Sequence, residues 1–186
     1  MSHTLIQDAL FTAKSVRELD RLVIEEQGIP GIILMKRAGR AVLSELLDAY
    51  GTPSLLSVFC GSGNNGGDGY IVAALAAEKN IAVQCFEMGG TLPPDAARAK
   101  QFAEQAKVGF YPADSDVELV QGVVVDCLLG TGLNGEMRQP YADVIDLIND
   151  CGLPVVAVDI PSGLNADTGA VARVAVQADI TVTFIG

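Results

Sequence analysis

Histidine is nearly absent from the sequence, and its cysteines are not paired. The one histidine is His3, in a terminal stretch of the kind that is often poorly ordered, and the four cysteines form no C-x-x-C pair. These shortages exclude a Ser-His-Asp or Cys-His triad and a histidine-based zinc site, so acid–base chemistry must use Asp, Glu, Lys, Tyr or water. Cys60, Cys85 and Cys127 lie in or beside apolar runs, which predicts buried, reduced thiols.

Basic residues are also few. Twelve Lys and Arg against 23 Asp and Glu give a formal net charge of −11, a surface that repels nucleic acid and anionic lipid. No apolar run approaches the roughly 18 residues of a membrane span, and the first residues lack the features of a secretory signal. We therefore expect a cytoplasmic protein with neither nucleic acid nor membrane as a partner, folded as one domain over residues 1–186.

The rest of the chain alternates between apolar runs and helical patterns. Ser15 and Glu18 have capping-box spacing and predict the start of a helix, and a second helix follows and runs to Gly51. Strands and helices then alternate, which predicts a mostly parallel sheet covered on both faces. The predicted strands are "SLLSVFC", "IAVQCFEM", "VGFYPA", "GVVVDCLLG", "LPVVAVDIPSG" and "ADITVTFIG". Ligands bind beyond the carboxyl ends of such strands, so the polar loops that follow them predict one shared site.

The glycine-rich loop after the first strand, residues 61–69, matches a dinucleotide fingerprint. Gly61, Gly63 and Gly66 fit G-x-G-x-x-G before a predicted helix starting at Tyr70, a context that favours phosphate binding by bare amides. Glu87 ends the next strand, where an NAD dehydrogenase places its ribose-binding acid. Asp68 argues against that interpretation, because its charge stands where pyrophosphate would bind. The alternatives are that Asp68 caps the helix and that the glycines only form a tight turn.

Carboxylates also follow two of the later strands. Asp126 and Asp159 each come after four or five apolar residues, and a partly buried carboxylate requires a cation or hydrogen-bond donors. Asn65, Asp126 and Ser162 offer oxygen donors on adjacent loops, a set with one carboxylate that favours potassium over calcium. A hydrogen-bond network tying the loops together is the alternative.

A second flexible loop, "GTGLNGE" (residues 130–136), is rich in backbone amides. It could surround a phosphate or the edge of a base, or it could be an ordinary surface turn. Tyr141 starts the next helix, and packing alone would explain it.

Three motifs together resemble one family. In order and spacing, "GSGNNGGDGY", "VDCLLGTGL" and "DIPSGLNADTG" resemble the NAD(P)HX epimerase family, the YjeF N-terminal domain, and "GIPGIILMKRAG" is similar to its N-terminal helix pair. The likeness extends from about Ser15 to the end of the chain. It implies a Rossmann-like three-layer αβα sandwich with a mostly parallel central sheet. It also implies an isomerase that interconverts the R and S forms of NADHX and NADPHX, hydrated forms of the reduced nicotinamide cofactors.

The resemblance also implies the residues of the site. Asn65, Asp126 and Ser162 would bind a potassium ion, in agreement with the oxygen-donor argument. The residues implied to contact the substrate are Asn64, Asn65, Gly66, Gly67, Asp68, Gly130, Thr131, Gly132, Leu133, Asn134, Gly135, Glu136, Tyr141 and Asp159.

The chain departs from the family at two places. Lys36 and Arg37 stand where many relatives have "EN", so we expect a different pocket floor. The chain ends at Gly186, where the family continues, and we expect it to be the front portion of a longer protein. The resemblance further implies a homo-oligomer that is fused to, or works with, an ADP- or ATP-dependent NAD(P)HX dehydratase.

The chemistry implied by that substrate requires an acid and a base. C6 of the hydrate carries a hydroxyl beside the ring nitrogen and must become planar, by loss of hydroxide or by ring opening. A carboxyl group that protonates the departing oxygen and deprotonates the returning water would serve both steps. Asp159 is the first candidate for this role and Asp68 the second. A non-catalytic nucleotide-binding module for regulation or protein interaction is the alternative function.

Overall fold

The computed structural model describes residues 12–26, 28–114, 116–132 and 136–184. Its helices, in chain order, are α1 (Ala13–Glu26), α2 (Gly31–Tyr50), α3 (Asn64–Glu78), α4 (Pro94–Gln105) and α5 (Gln139–Asp150). Its strands are β1 (Leu56–Cys60), β2 (Val83–Glu87), β3 (Gly109–Pro112), β4 (Val123–Cys127), β5 (Val155–Val158) and β6 (Ile180–Val182). No helix within these ranges is long and apolar enough to cross a membrane.

The strands form one parallel sheet in the order β3-β2-β1-β4-β5-β6. All six predicted strands are present, and the expectation of a mostly parallel sheet is confirmed. This order is the Rossmann order, in which the chain reverses its direction of travel between the first and fourth strands. The carboxyl ends of β1 and β4 therefore meet at the switch point where such sheets bind ligands.

Apolar side chains alternate between the two faces of the sheet and bury both. Val58, Val125 and Val156 point to the layer built from α2, α3 and α4. Phe59 and Val124 point to the opposite layer, which contains α5. The result is the three-layer αβα sandwich that the family resemblance implies.

Helix α3 begins earlier than the glycine pattern predicts. The sequence predicts a loop up to Gly69, whereas the helix begins at Asn64 with Gly63 as its N-cap. Tertiary packing overrides the poor helix propensity of glycine here. A Cβ on Gly67 would lie 2.6 Å from Met35 Cε, and a Cβ on Gly69 would lie 2.8 Å from Cys60 Sγ.

The start of helix α1 differs from the prediction, whereas the burial of the cysteines agrees with it. Helix α1 begins at Ala13 instead of Ser15, because the Thr12 hydroxyl accepts the Ser15 backbone N–H at 3.1 Å and so caps the first turn. Cys60, Cys85 and Cys127 are buried free thiols, as predicted. Burial raises the pKa values of Cys60 and Cys127 well above the ordinary range, which makes these two thiols unreactive.

Candidate functional site at the switch point of the sheet

A cleft of about 560 Å³ opens at the carboxyl ends of β1, β4 and β5. Its volume lies in the roughly 300–1,000 Å³ range of small-molecule sites. Nine residues predicted from the sequence line it: Asn64, Asn65, Asp68, Gly130, Thr131, Gly132, Glu136, Tyr141 and Asp159. The three polar loops thus converge on one cleft, as their positions after neighbouring strands predict.

Other predicted residues lie elsewhere. Gly66 and Gly67 are buried in α3 and are not among the residues that line the cleft. Asp126 and Ser162 are fully buried and also do not line it. Residues 133–135, which complete the predicted loop of Leu133, Asn134 and Gly135, lie outside the described residues.

Three backbones cross closely at the start of α3. A Cβ on Gly61 would lie 1.8 Å from the Leu128 carbonyl oxygen, and one on Gly66 would lie 2.0 Å from the Gly61 carbonyl oxygen. Only glycine permits both approaches. The glycines therefore bring the N-terminus of α3 against the ends of β1 and β4, which is a packing role beyond the simple turn considered as the alternative. With Gly63 as the N-cap, the capping alternative for Asp68 is wrong.

Asn65 lies at this crossing with an unusual environment. It is 7% exposed, and neither its side-chain nitrogen nor its oxygen has a hydrogen-bond partner within the described ranges. A buried amide without partners costs roughly 1–3 kcal/mol, so an ion, water or polar ligand that contacts Asn65 would remove that cost. A Cβ on Gly130 would lie 3.2 Å from Asn65 Cβ, which places the amide beside the loop that follows β4.

Asp126, the penultimate residue of β4, is buried and linked to the loop after β5. Its Oδ1 accepts the Ser162 hydroxyl at 2.6 Å and the Leu128 amide at 3.1 Å, and its Oδ2 accepts the Ser162 amide at 2.8 Å. Burial raises the pKa of Asp126 to about 6, while the bonds from Ser162 and Leu128 oppose that rise. The hydrogen-bond network that the sequence analysis gives as the alternative to a potassium site is therefore present between Asp126 and Ser162. Among the described residues it does not include Asn65.

Asp159 follows β5 directly and has a left-handed backbone, with φ of 69°. This conformation is uncommon for a residue with a side chain, although aspartate tolerates it better than most. The Asp159 carboxylate accepts the Thr131 amide at 3.0 Å, and a Cβ on Gly130 would lie 2.7 Å from its Oδ2. The backbone turn thus directs the carboxylate into the cleft beside the loop after β4.

Glu87 does not take the ribose-binding place that the dehydrogenase interpretation gives it. Its carboxylate accepts the Tyr70 hydroxyl at 2.6 Å and forms an ion pair with Lys100 at 2.7 Å. It does not line the cleft. Because Glu87 is bonded to Tyr70 and Lys100 and lies outside the cleft, its role is structural, and the prediction that it binds ribose is wrong.

Lys36 and Arg37 also lie away from the cleft. Lys36 Nζ lies 4.4 Å above the centroid of the Phe102 ring. Arg37 lines a neighbouring cavity of about 570 Å³ that shares Asn64 and Asp68 with the cleft. The expected change in the pocket floor therefore concerns this adjoining cavity.

Gly63, which also lines the cleft, belongs to the predicted glycine fingerprint, and Ser62 lies within the same loop. Several residues of the cleft are not singled out by reasoning from the sequence: Val16, Leu128, Leu129, Met137, Arg138 and Phe184. Arg138 had a usable signal, because it is a cation two residues after the predicted loop of residues 130–136 in a strongly acidic chain. Val16 and Phe184 come from opposite ends of the chain, and no local pattern brings them together.

The strand order and the cleft at the switch point define a doubly wound, Rossmann-like α/β protein. Residues 31–186 match the family described as YjeF-related protein N-terminus. The chain therefore belongs to that family, which confirms the resemblance found in its motifs.

Two relatives show how the chain compares with longer proteins. It is 41% identical to the bifunctional NAD(P)H-hydrate repair enzyme Nnr of Coxiella burnetii, over 95% of this chain and 36% of that enzyme. It is 39% identical to the NAD(P)H-hydrate epimerase of Limosilactobacillus fermentum, over 93% of this chain and 84% of that protein. The chain thus spans about a third of the bifunctional relative and most of the other.

A solved structure supports the fold independently. The crystal structure of yeast ynu0 superposes with a TM-score of 0.81 at 20% sequence identity, covering 94% of this chain and 79% of the yeast chain. At that identity the agreement concerns the fold.

Proposed function

We propose that the protein is an epimerase that interconverts the R and S forms of NADHX and NADPHX. The observation that carries the proposal is the place of Asp159, whose carboxylate lines a ligand-sized cleft beside Asn65 and Gly130. The 39% identity to a protein named NAD(P)H-hydrate epimerase supports the same reaction.

Asp159 is the proposed acid and base. As an acid it protonates the hydroxyl on C6, the C6–O bond breaks and water leaves, while the lone pair of the ring nitrogen stabilises the planar cation. Water then adds to the opposite face of C6, and the Asp159 carboxylate takes up the proton that this water loses. Atoms and charge balance over the cycle, and positioned acid–base help of this kind is worth about 10²–10⁴-fold.

The residues around Asp159 hold the substrate in this proposal. Asn64 and Asp68 lie on the first turns of α3, and Thr131 and Gly132 line the cleft from the loop after β4. The Thr131 amide also fixes the Asp159 carboxylate at 3.0 Å, so the acid keeps its orientation in the absence of substrate.

The donor set around Asn65, Asp126 and Ser162 fits a potassium ion. Asn65 has a buried amide without a protein partner, and Asp126 is a fully buried carboxylate that forms no ion pair within the described ranges. A weakly charged cation with oxygen ligands would satisfy both needs. When bound, potassium would balance the Asp126 charge and orient the Asn65 amide at the edge of the cleft.

Potassium dependence can be tested on stability as well as activity. We expect potassium to raise the melting temperature and support epimerisation, and calcium or zinc to do neither. Asn65→Ala should abolish the potassium-dependent rise in melting temperature without lowering stability in potassium-free buffer, because the amide makes no hydrogen bond to any described residue. Equal melting temperatures in potassium and in Tris for the unsubstituted protein would contradict the site.

The function itself is tested by incubating the protein with one purified NADHX epimer and separating the two forms by chromatography. Conversion to the equilibrium mixture faster than in a protein-free control is the expected result. Binding of NADHX without faster conversion would instead support the nucleotide-binding module.

The dehydratase connection also belongs to this proposal. The 41% identity to a bifunctional NAD(P)H-hydrate repair enzyme, of which this chain covers 36%, supports a dehydratase that is fused to this domain or works with it. Both enzymes would act on a soluble dinucleotide, which is consistent with a cytoplasmic location.

A further inference from the structure

Among the described residues that line the cleft, one side chain is cationic. Asp68, Glu136 and Asp159 bring three carboxylates to its lining, and Arg138 is the only basic residue among the described residues that line it. The whole chain has a net charge of −11, so the surrounding surface does not compensate. An anionic ligand entering this cleft therefore meets three carboxylates, and the attractive groups are Arg138 and the backbone N–H groups at the N-terminus of α3, where Gly63 and Asn64 line the cleft.

Arg138 is held in a defined place. It directly precedes α5, and its guanidinium carbon lies 5.2 Å from the centroid of the Tyr141 ring, one turn into that helix. Tyr141 is itself buried, so the ring is a rigid support for the guanidinium. Within the described ranges no carboxylate forms an ion pair with Arg138, and its planar set of N–H donors remains available to a ligand.

We propose that Arg138 binds the diphosphate of the dinucleotide substrate. The inference rests on the proposed function, since it assigns one part of that substrate to one residue. A guanidinium donates paired hydrogen bonds to phosphate oxygens, a geometry that lysine or a single backbone amide does not reproduce. Binding at the diphosphate would hold the hydrated nicotinamide ring in the same cleft as Asp159, so Arg138 serves affinity and positioning rather than proton transfer.

A series of ligands with increasing phosphate content separates this role from others. Nicotinamide riboside has no phosphate, nicotinamide mononucleotide has one and NAD has two, while all three share the nicotinamide ribose. Their dissociation constants would be measured by calorimetry for the unsubstituted protein, Arg138→Gln, Arg138→Lys and the control Arg173→Gln. Arg173 is exposed and lies outside the cleft, so the control removes the same charge from the chain without touching the site.

The expected result is a loss that grows with the phosphate count. Arg138→Gln should weaken NAD binding tenfold or more, weaken the mononucleotide less, and leave the riboside unchanged. Arg138→Lys should fall between, because it keeps the charge and loses the paired donors. In the epimerisation assay Arg138→Gln should raise KM for NADHX about tenfold and change kcat by less than about threefold. Arg173→Gln should match the unsubstituted protein throughout.

Several results would overturn the inference. One is unchanged NAD affinity in Arg138→Gln, and another is an equal loss for all three ligands, which would make Arg138 a support for Tyr141. A third is an unsubstituted protein that binds NAD no more tightly than the riboside. Absence of epimerisation by the unsubstituted protein would reject the proposed reaction but not the phosphate assignment, because the binding series does not depend on turnover.

Discussion

The carboxyl ends of β4 and β5 lie side by side in the sheet, and each carries an aspartate. Asp126 is still within β4, is fully buried and accepts three hydrogen bonds from the two neighbouring loops. Asp159 has left β5, has a left-handed backbone and lines the cleft. The two residues follow similar apolar runs, but Asp126 is level with Ala157 in the sheet, so Asp159 lies two positions further along.

This offset separates the structural role of Asp126 from the catalytic role proposed for Asp159. A carboxylate inside the strand is desolvated and needs donors or a cation, so Asp126 ties loops together and suits a bound ion. A carboxylate one position beyond the strand can turn toward ligand, at the cost of an uncommon backbone conformation. The carboxyl ends of two neighbouring strands thus supply a buried carboxylate and a carboxylate that lines the cleft.

The largest expected effect comes from Asp159→Asn. Asparagine tolerates the left-handed backbone as well as aspartate does, and its amide oxygen can still accept the Thr131 amide. Epimerisation should fall by at least about 10²-fold, because the proton donor is lost. Stability should change by less than about 1 kcal/mol. The measurements are the chromatographic assay, thermal unfolding and NADP affinity, which should persist.

The control for this substitution is Asp146→Asn, an exposed position on α5. It removes the same charge outside the cleft and should keep full activity. Intact epimerisation by Asp159→Asn would transfer the acid–base role to Asp68 or to solvent. Parallel loss of NADP binding would make Asp159 a positioning residue.

The next effect concerns Asp126 and pH. Its pKa in the folded protein is about 6 against 3.8 for the free side chain, so the folded state binds the proton more tightly. The protonated Asp126 carboxyl therefore stabilises the folded state fully below about pH 3.8, and this stabilisation is lost as pH rises through about 6. A difference of about two pKa units corresponds to about 3 kcal/mol. Potassium-free protein should lose about that amount between pH 4 and pH 7.

Asp126→Asn provides the comparison, because it cannot titrate. At pH 4 the variant should be less stable than the unsubstituted protein, since an amide nitrogen would face the Ser162 or Leu128 amide. Without potassium, the difference in the free energy of unfolding between the variant and the unsubstituted protein should decrease as pH rises. Potassium should reopen it at pH 7 and have little effect at pH 4, where the carboxyl group is protonated. A gap that stays constant with pH would contradict the burial argument.

The sheet was predictable from the sequence because its determinants are local. Each strand is a short apolar run of the length that a buried parallel strand requires, and each polar loop follows one of them. Parallel strands place all such loops at one edge, which is why residues as distant in sequence as Asn64 and Asp159 could be predicted to lie in one site.

The start of α3 and the partners of Glu87 were not predictable because their determinants are distant. Glycine has poor helix propensity, and only the contacts of Gly67 with Met35 and of Gly69 with Cys60 explain a helix there. Glu87 occupies the expected position at the end of β2, yet Lys100 from α4 holds it. Local spacing gives the position of a side chain along the chain and does not give its partners.

Glu87 extends the comparison to a third strand-end carboxylate and gives the smallest effect. In Glu87→Gln the Tyr70 hydroxyl keeps an acceptor, while the ion pair with Lys100 is lost. The pair is partly exposed, so its loss should cost no more than about 1 kcal/mol. KM and kcat for NADHX should not change, because Glu87 does not line the cleft.

The control is the partner of the ion pair. Lys100→Gln should lower the free energy of unfolding by a similar amount, and the double substitution should lower it by less than the sum of the two, since both remove the same interaction. A rise in KM for Glu87→Gln with Lys100→Gln unaffected would return Glu87 to ribose binding and place the dinucleotide across β2.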